Sequence, residues 1–353
     1  MKRKRRLLII IFILMLFSLI NNYSAAYIMG MYHDYFLKEL IWYLAGFLII
    51  FLMIKLNIAL LYKYSFYFYL LGNFLLIITL LFGNEVNGAT SWLQLGPFTF
   101  QPSEFVKIFL IIYLYYFSTK YENFNDFKYI FYSLIILLIP SILTFLEPDT
   151  GAVILYFVIY AAFLINRGLS KWLYIGSALI ITILASAFVY LYYYQQPIFI
   201  NVFGTSFFYR MDRITSFYNS EGYQIERSLV SIGSSGLFGH GIRSLPEYIP
   251  EAPTDFAFAL LISNVGFVGI TFFLIVYIAL FFQIIKMLTK KNENLILPIF
   301  LLLFVQFSIN VLMNIGLFPI IGITLPFISY GGSNLISYMI LIGLVMEHRR
   351  LLK

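Results

Sequence analysis

The chain of 353 residues contains no cysteine and only three histidines. Without cysteine it can form neither a disulfide bridge nor a thiolate metal site. The histidines, His33, His240 and His348, are too far apart in the sequence to show a metal-ligand spacing. Any chemistry must therefore come from other residue types.

Charged residues are also scarce. They make up 11% of the chain and hydrophobic residues 61%, whereas soluble domains average about 25% and roughly 45–50%. A membrane-spanning helix needs about 20 mostly apolar residues. The sequence therefore predicts an all-α polytopic membrane protein with about ten transmembrane helices, at roughly 7–29, 37–56, 64–82, 103–119, 129–146, 151–166, 171–194, 256–285, 295–320 and 325–346.

The distribution of lysine and arginine predicts the orientation. With the N-terminus inside, 17 of the 23 basic residues fall in inner segments, five of them in the tail "MKRKRR". Basic residues accumulate in cytoplasmic loops, so both termini are predicted to be cytoplasmic. The net charge of +7 is then explained by contact with anionic membrane lipids and requires no nucleic acid. The alternative, a signal peptide cleaved after "SAA" at 24–26, would leave an odd number of spans.

One connection is much longer than the others. Residues 195–255, between the seventh and eighth spans, are predicted to form a large extracellular loop with aromatic, charged and glycine-rich stretches, a composition that suggests an ordered cap with short interfacial helices. No internal repeat is evident, which disfavours many transporter folds. The whole chain, 1–353, is predicted to be a single membrane domain.

Two polar clusters lie where hydropathy does not predict them. Glu104 and Lys107 are three residues apart at the start of the fourth span, so they share one face of the helix. They either form an ion pair that caps this span or line a cavity. Asp149, in "EPDTG", either caps the next helix or contributes to a site.

Two further clusters precede apolar spans. "SYGGSN" (329–334) is either a plain turn or a place where backbone N–H groups approach an anion. Asp255 comes directly before 30 uncharged residues, Phe256 to Ile285. Thr254 and Asp255 are good helix caps, but an acid at the start of a span is also typical of a functional site.

Five stretches, in this order, resemble signatures of the SEDS family, the RodA and FtsW group of bacterial cell-wall polymerases: "WLQLGPFTFQPSEFVK", "EPDTG", "YQIERSLVSIGSSGLFGHG", "PEAPTDFAF" and "MNIGLFPIIGITLPFISYGGS". The sequence "MNIGLFP" in the last stretch looks closer to RodA than to FtsW. The resemblance implies a membrane glycosyltransferase that polymerises lipid II into peptidoglycan strands, in elongation, division or sporulation. It also implies a class B penicillin-binding protein as partner.

Motif by motif, the resemblance makes Asp255 the catalytic acidic residue. It assigns substrate binding to Trp92, Gln101, Glu104 and Lys107 and to Ser329, Gly331, Gly332 and Ser333. Three departures indicate a divergent paralogue. Pro253 stands where the family usually has His, Ser263–Asn264 replaces a usual Glu-Glu pair, and the stretch between Gly241 and Pro250 is shortened.

The chemistry of glycosyl transfer fits these residues. An acceptor hydroxyl attacks an anomeric carbon that carries a pyrophosphate, so the site needs a base and positive charge. Asp255 can be the base, and Lys107, Arg210 or Arg213 can bind the leaving group. A divalent cation, Mg²⁺ or Mn²⁺, could bridge a carboxylate and the phosphates, although no DxD sequence marks such a site. The alternatives are a lipid II flippase and a non-catalytic scaffold for the penicillin-binding protein.

Overall fold

The computed structural model describes residues 2–29, 35–56, 58–86, 89–96, 98–171, 190–205, 223–290 and 292–351, with single positions 173, 176, 183 and 186. The predicted seventh span, 171–194, lies largely outside these residues. Arg210 and Arg213 lie wholly outside them.

The described chain is mostly helical. Its helices are α1 (Lys2–Met29), α2 (Tyr35–Lys55), α3 (Ala59–Lys63), α4 (Ser65–Phe82), α5 (Pro102–Lys120), α6 (Asp126–Leu146), α7 (Thr150–Arg167), α8 (Gln196–Phe203), α9 (Tyr223–Ser234), α10 (Ala257–Ile285), α11 (Glu293–Asn314) and α12 (Gly332–Leu351). Within the described residues, α1, α2, α4, α6, α7, α10 and α11 are long and apolar enough to cross a membrane. The prediction of a helical polytopic membrane protein is confirmed.

The predicted bounds of the last two spans are wrong. The structure ends α11 at Asn314 and begins α12 at Gly332, so residues 315–331 form an irregular segment instead of helix. Gly316 and Gly322 have φ of 73° and 72°, a left-handed conformation that glycine adopts without steric cost. The segment "LFPIIGITLPF" is apolar enough to be read as membrane helix, but its turns break the helix.

Side chains from the helices compensate for the irregular backbone of 315–331. Unpaired carbonyl groups inside a membrane protein are costly unless protein groups satisfy them. Four helices supply donors: Ser18 of α1 bonds the carbonyl of Ile328, Tyr43 of α2 that of Phe327, Tyr277 of α10 that of Pro326, and Asn310 of α11 that of Ile323. The segment is therefore held between α1, α2, α10 and α11.

A small sheet between α4 and α5 is absent from the sequence-based prediction. Strands β1 (Asn84–Val86), β2 (Ala89–Leu95) and β3 (Phe98–Phe100) pair antiparallel in that order. Gly96, with φ of 62°, lies in the turn between β2 and β3. The sheet packs against both flanking helices and so fixes the position of Trp92 on β2.

Glycines allow α2 and α12 to pack closely. A Cβ atom on Gly46 would collide with Met339, one on Gly332 with the Trp42 ring, and one on Gly343 with Met53. These contacts recur along both helices, so neither helix can slide or rotate against the other without a clash.

Helix α10 contains a break at Gly266, whose φ of 65° and ψ of −168° are not helical. The N–H groups of Phe267 and Val268, freed by the break, donate to carbonyls of the glycine-rich segment 235–241 over 3.0 Å. A Cβ on Gly266 would collide with this segment. The segment therefore docks into the break.

The departure at 263–264 lies beside this break. Ser263 and Asn264 are buried. The Asn264 amide donates to Asn21 of α1 over 3.1 Å, and its oxygen accepts from Ser24 over 2.7 Å. The amide thus joins α10 to α1 without introducing a buried charge.

Helices α8 and α9 lie within the predicted extracellular loop. Ser228 on α9 donates to the carbonyl of Asn314 over 2.7 Å, and Arg227 pairs with Glu247 over 2.5 Å. The first contact holds α9 against the end of α11, and the second joins α9 to the segment before α10. The form of the whole loop stays a prediction because 206–222 lie outside the described residues.

Candidate active site

A cavity of about 420 Å³ opens at one end of the helical bundle. Its walls come from segments far apart in sequence: β2, the N-termini of α2, α5 and α7, the segment before α10, and the irregular segment before α12. Predicted site residues that line it are Trp92, Gln101, Glu104, Asp149 and Asp255; Tyr35, Glu251, Thr254, Gln306, Thr324, Tyr330 and Asn334 line it as well.

The backbone of Asp255 is held by two amides of α11. Asn310 and Asn314 donate to the Asp255 carbonyl over 2.9 and 3.0 Å. Helix α10 begins two residues later, and its N-cap, Phe256, makes no side-chain cap bond. The capping interpretation of Asp255 is therefore wrong for this structure.

Asp255 instead lines the cavity. Burial, and next the charge of Glu251, raise the pKa of Asp255 to about 7. A carboxylate with this pKa exchanges protons near neutral pH, which is what general base catalysis requires.

Two hydrogen bonds join the segment before Asp255 to the segment before α12. Ser329 donates to the carbonyl of Thr254 over 2.5 Å, and the N–H of Tyr330 donates to the carbonyl of Pro253 over 2.8 Å. Ser329 thus joins the segment before α12 to the segment before α10. Pro253, the departure from the family pattern, keeps a carbonyl that accepts one of these bonds.

Glu104 and Lys107 form the predicted ion pair, 2.7 Å long, in the first turns of α5. Ser337 of α12 donates to Glu104 over 3.2 Å. The Asn334 amide lies 3.2 Å from both Glu104 oxygens and donates to them when its oxygen faces Thr324. Glu104 also lines the cavity. The ion-pair and cavity interpretations are therefore both correct for this residue.

Lys107 occupies a different place from the predicted one. Its side chain is fully buried behind Glu104 and does not line the cavity. An ammonium group already paired with a carboxylate gives little attraction to a second anion. The structure thus places Lys107 as the partner of Glu104 rather than as a direct contact for a pyrophosphate.

Asp149 caps α7, as one of the two interpretations predicted. One carboxylate oxygen accepts the N–H of Ala152 over 3.0 Å, and the other accepts from Gln101 and Ser103, each over 2.9 Å. These bonds hold Asp149 and Gln101 together in the cavity wall.

Gly332 of "SYGGSN" serves packing. The Trp42 ring fills the space beside Gly332 where a side chain would lie. Ser333 accepts the backbone N–H of Gln101 over 3.1 Å. Neither Gly331, Gly332 nor Ser333 lines the cavity, so the plain-turn interpretation fits better than a backbone anion site.

Among the described residues the cavity wall is acidic. It contains Glu104, Asp149, Glu251 and Asp255 and no lysine or arginine. Of the described cations of the loop, Arg227 pairs with Glu247, and Arg243 lies over the rings of Tyr23 and Tyr27. Positive charge for a pyrophosphate is therefore not supplied by this part of the wall.

The acidic wall does not form a ready metal centre in the described chain. No three metal-binding side chains come together there. Both Asp149 oxygens accept protein hydrogen bonds, and Glu104 is paired with Lys107. The described residues of the wall therefore do not fit a divalent cation.

A further acid lies just outside the cavity wall. Glu147, in the turn between α6 and α7, is fully buried, and neither carboxyl oxygen has a hydrogen-bond partner among the described residues. Burial, and next the charge of Asp149, raise the pKa of Glu147 to about 9. At neutral pH the group is therefore mostly protonated.

Sequence reasoning missed the buried amides of α11. Gln306, Asn310 and Asn314 are four residues apart, so they lie on one helical face. Gln306 lines the cavity and donates to Tyr338 over 2.6 Å. The regular spacing of amides in an apolar helix is a sequence signal that could have found them.

The fold and site define a polytopic helical membrane protein with an acid-lined cavity at one end. The sequence matches the family described as "Cell cycle protein" (FtsW, RodA and SpoVE) over residues 4–353. The chain belongs to this family, as the resemblance predicted.

Curated relatives carry the name "Probable peptidoglycan glycosyltransferase FtsW". The protein of Wigglesworthia glossinidia brevipalpis is 31% identical over 93% of this chain and 88% of its own length. The protein of Coxiella burnetii is 32% identical over 89% of this chain and 86% of its own length. The prediction that this chain is nearer to RodA is not decided by these names.

Solved structures share the fold. One, described as "Structural coordination of polymerization and crosslinking by a peptidoglycan synthase complex", has a TM-score of 0.77 at 23% identity and covers 97% of this chain and 96% of its own. The rod shape determining protein RodA of Thermus thermophilus has a TM-score of 0.70 at 24% identity, with 98% and 97% covered.

Proposed function

We propose that this protein is a peptidoglycan glycosyltransferase that polymerises lipid II, the undecaprenyl-pyrophosphate-linked disaccharide peptide. The single observation that carries this proposal is Asp255, held by Asn310 and Asn314 at the wall of the cavity with its pKa near 7. Family membership and the names of the relatives give the substrate class.

This arrangement supports the following reaction. The hydroxyl oxygen of the acceptor sugar attacks the anomeric carbon of the donor, and the bond from that carbon to the pyrophosphate oxygen breaks. The Asp255 carboxylate accepts the hydroxyl proton as the new glycosidic bond forms. Undecaprenyl pyrophosphate leaves with the bonding electron pair.

The Glu104–Lys107 pair, with Ser337 and Asn334, gives this end of the cavity a fixed arrangement of polar groups. Fixed groups need no reorganisation during the reaction. Trp92, Gln101 and Asp149 contribute the facing wall. Arg210 and Arg213 of the loop would neutralise the pyrophosphate.

The charge asymmetry of the sequence supports placing this cavity on the outer face of the cytoplasmic membrane, with both termini inside. A substrate with a polyprenyl tail reaches such a site from the bilayer. The product, a growing glycan strand, is then available to a class B penicillin-binding protein, the partner class we propose.

The purified full-length chain, with a candidate partner, should lengthen labelled lipid II in detergent, where translocation has no meaning. Asp255→Asn should reduce the rate at least 10²- to 10⁴-fold, as expected for a lost general base. Asp126→Asn is the matched control, because Asp126 begins α6 at the opposite end of the bundle. Polymerisation by Asp255→Asn at the wild-type rate would remove Asp255 from the mechanism. Failure of the wild type to polymerise with any partner would favour a flippase or scaffold.

A further inference from the structure

Two tyrosines stack on each other in the cavity wall. Tyr35 is the first residue of α2, and Tyr330 lies in the segment before α12. Their ring centroids are 3.9 Å apart and the ring planes differ by 6°. Both residues line the cavity and are partly exposed, so the stacked pair contributes aromatic surface to its wall.

This pair is rigidly tied to Asp255. The N–H of Tyr330 donates to the carbonyl of Pro253, two residues before Asp255, over 2.8 Å. Helices α2 and α12, next to which the two tyrosines lie, pack closely through Gly46, Gly332 and Gly343. The backbone of Tyr330 and the backbone of the Asp255 segment are therefore held side by side at the cavity.

Charge decides which part of a lipid-linked substrate fits beside the pair. The same wall contains the acids Glu104, Asp149, Glu251 and Asp255, which repel a pyrophosphate and accept hydrogen bonds from hydroxyl groups. A pyranose ring is uncharged, with hydroxyls on its rim and a face of C–H groups. Partial positive C–H groups are attracted to the negative face of an aromatic ring.

We propose that the stacked Tyr35–Tyr330 pair is a sugar-binding platform, on which a pyranose ring of the lipid-linked substrate lies with a hydroxyl directed to Asp255. This inference rests on the proposed function, because it names where the saccharide part of that substrate binds. The pyrophosphate then lies away from the acidic wall.

The platform requires the aromatic faces, so two substitutions at each position separate it from other roles. Tyr35→Phe and Tyr330→Phe keep the ring and remove the hydroxyl, and Tyr35→Leu and Tyr330→Leu remove the ring. The leucine variants should raise the KM for lipid II about 3- to 10-fold with kcat little changed, because stacking acts equally in the ground state and the transition state. The phenylalanine variants should stay within about 2-fold of wild type, below the smallest loss expected from removing the ring.

Binding gives a readout that does not depend on turnover. Competition against fluorescent lipid II should show the leucine variants binding the disaccharide-bearing lipid about 3- to 10-fold more weakly. Their affinity for undecaprenyl pyrophosphate, which has no sugar, should be unchanged. Tyr67→Leu, on the exposed face of α4, is the control for loss of a tyrosine.

Three outcomes would overturn the platform: unchanged binding in the leucine variants, equal weakening for both lipids, or equal damage by phenylalanine and leucine. If the wild type binds the disaccharide-bearing lipid selectively and yet fails to polymerise it, the platform stands and the proposed reaction fails. If the wild type shows no preference for the sugar-bearing lipid, the platform is wrong.

Discussion

Asn314 of α11 donates an amide hydrogen bond to the carbonyl of Asp255 over 3.0 Å, and its amide oxygen accepts the N–H of Ala259 over 3.0 Å. One side chain thus positions both the acid and the first turn of α10. The arrangement explains how Asp255, just before an apolar span, is held in place without acting as a helix cap.

Replacing Asn314 by Asp should impair turnover more than binding. The variant keeps an oxygen for Ala259 but sets a carboxylate against the Asp255 carbonyl. A displacement of about 1 Å can cost roughly 10²-fold in rate, so we expect kcat to fall about 10- to 100-fold with KM little changed. The added negative charge should also move the pH midpoint of activity upward.

The control is Ser308→Ala, because the Ser308 hydroxyl bonds within α11 to the carbonyl of Phe304. Steady-state polymerisation across pH measures both effects. A purely structural role for Asn314 would lower the amount of folded protein and leave the pH midpoint where it was.

The rate of polymerisation should rise with pH around pH 7. The pKa of Asp255 is raised to about 7 by burial and then by Glu251, and the base acts in its deprotonated form. Glu251→Gln removes the negative charge of Glu251, the second cause of the raised pKa. The pH midpoint of the rate should therefore move to lower pH. Glu122→Gln, in the exposed turn after α5, should leave the midpoint unchanged. A pH-independent rate between pH 5.5 and 8.5 would show that another group is the base.

Asp255→Asn should stabilise the protein, most clearly above pH 7. Because the folded state raises the pKa from 3.8 to about 7, it binds the proton more tightly than the unfolded state does. The stabilisation that protonated Asp255 gives the folded protein is fully present below about pH 4. It is lost as the pH rises through about 7. The asparagine variant does not titrate, so its melting temperature relative to wild type should increase over this range.

The difference in the free energy of unfolding between the variant and wild type should be at most about 4 kcal/mol. This is the free energy that corresponds to the pKa shift of Asp255. Thermal melts of both proteins in detergent at pH 4.5, 6 and 8 give the comparison. A difference that does not change with pH would mean that Asp255 is more hydrated than its position indicates.

The helices and the family were predictable from the sequence because apolar run length and ordered motifs are local signals. The irregular segment 315–331 was not, because its apolar composition matches that of a span and its stability depends on donors from α1, α2, α10 and α11. The shared helix face of Glu104 and Lys107 was predictable from their spacing, but the burial of Lys107 behind Glu104 was not. Burial behind a partner depends on tertiary packing, which residue spacing does not determine.

Labelling of single cysteines should establish the orientation. The chain has no cysteine, so each introduced thiol reports alone. Ser244→Cys, exposed in the segment before α10, should react with an impermeant maleimide in intact spheroplasts. Asn123→Cys, exposed between α5 and α6, should react only after lysis. The reverse pattern would place the cavity on the cytoplasmic face and exclude polymerisation outside.

The buried pair Glu104–Lys107 should separate stability from catalysis in a double-mutant cycle. Because Lys107 is fully buried and paired over 2.7 Å, Glu104→Gln leaves an uncompensated buried charge. Breaking such a pair typically costs about 3–5 kcal/mol, so this variant should lose both melting temperature and activity. Its activity alone therefore cannot assign a role to Glu104.

Glu104→Gln combined with Lys107→Met removes the unpaired charge and keeps an unbranched apolar side chain of similar length. Replacing a buried ion pair by apolar groups is often neutral or stabilising, so the double variant should recover most of the melting temperature. If Glu104 takes part in the cavity chemistry, polymerisation should stay at least 10-fold below wild type despite this recovery. Recovery of activity together with stability would reduce the pair to a support for α5 and leave Asp255 as the acid on which the reaction depends.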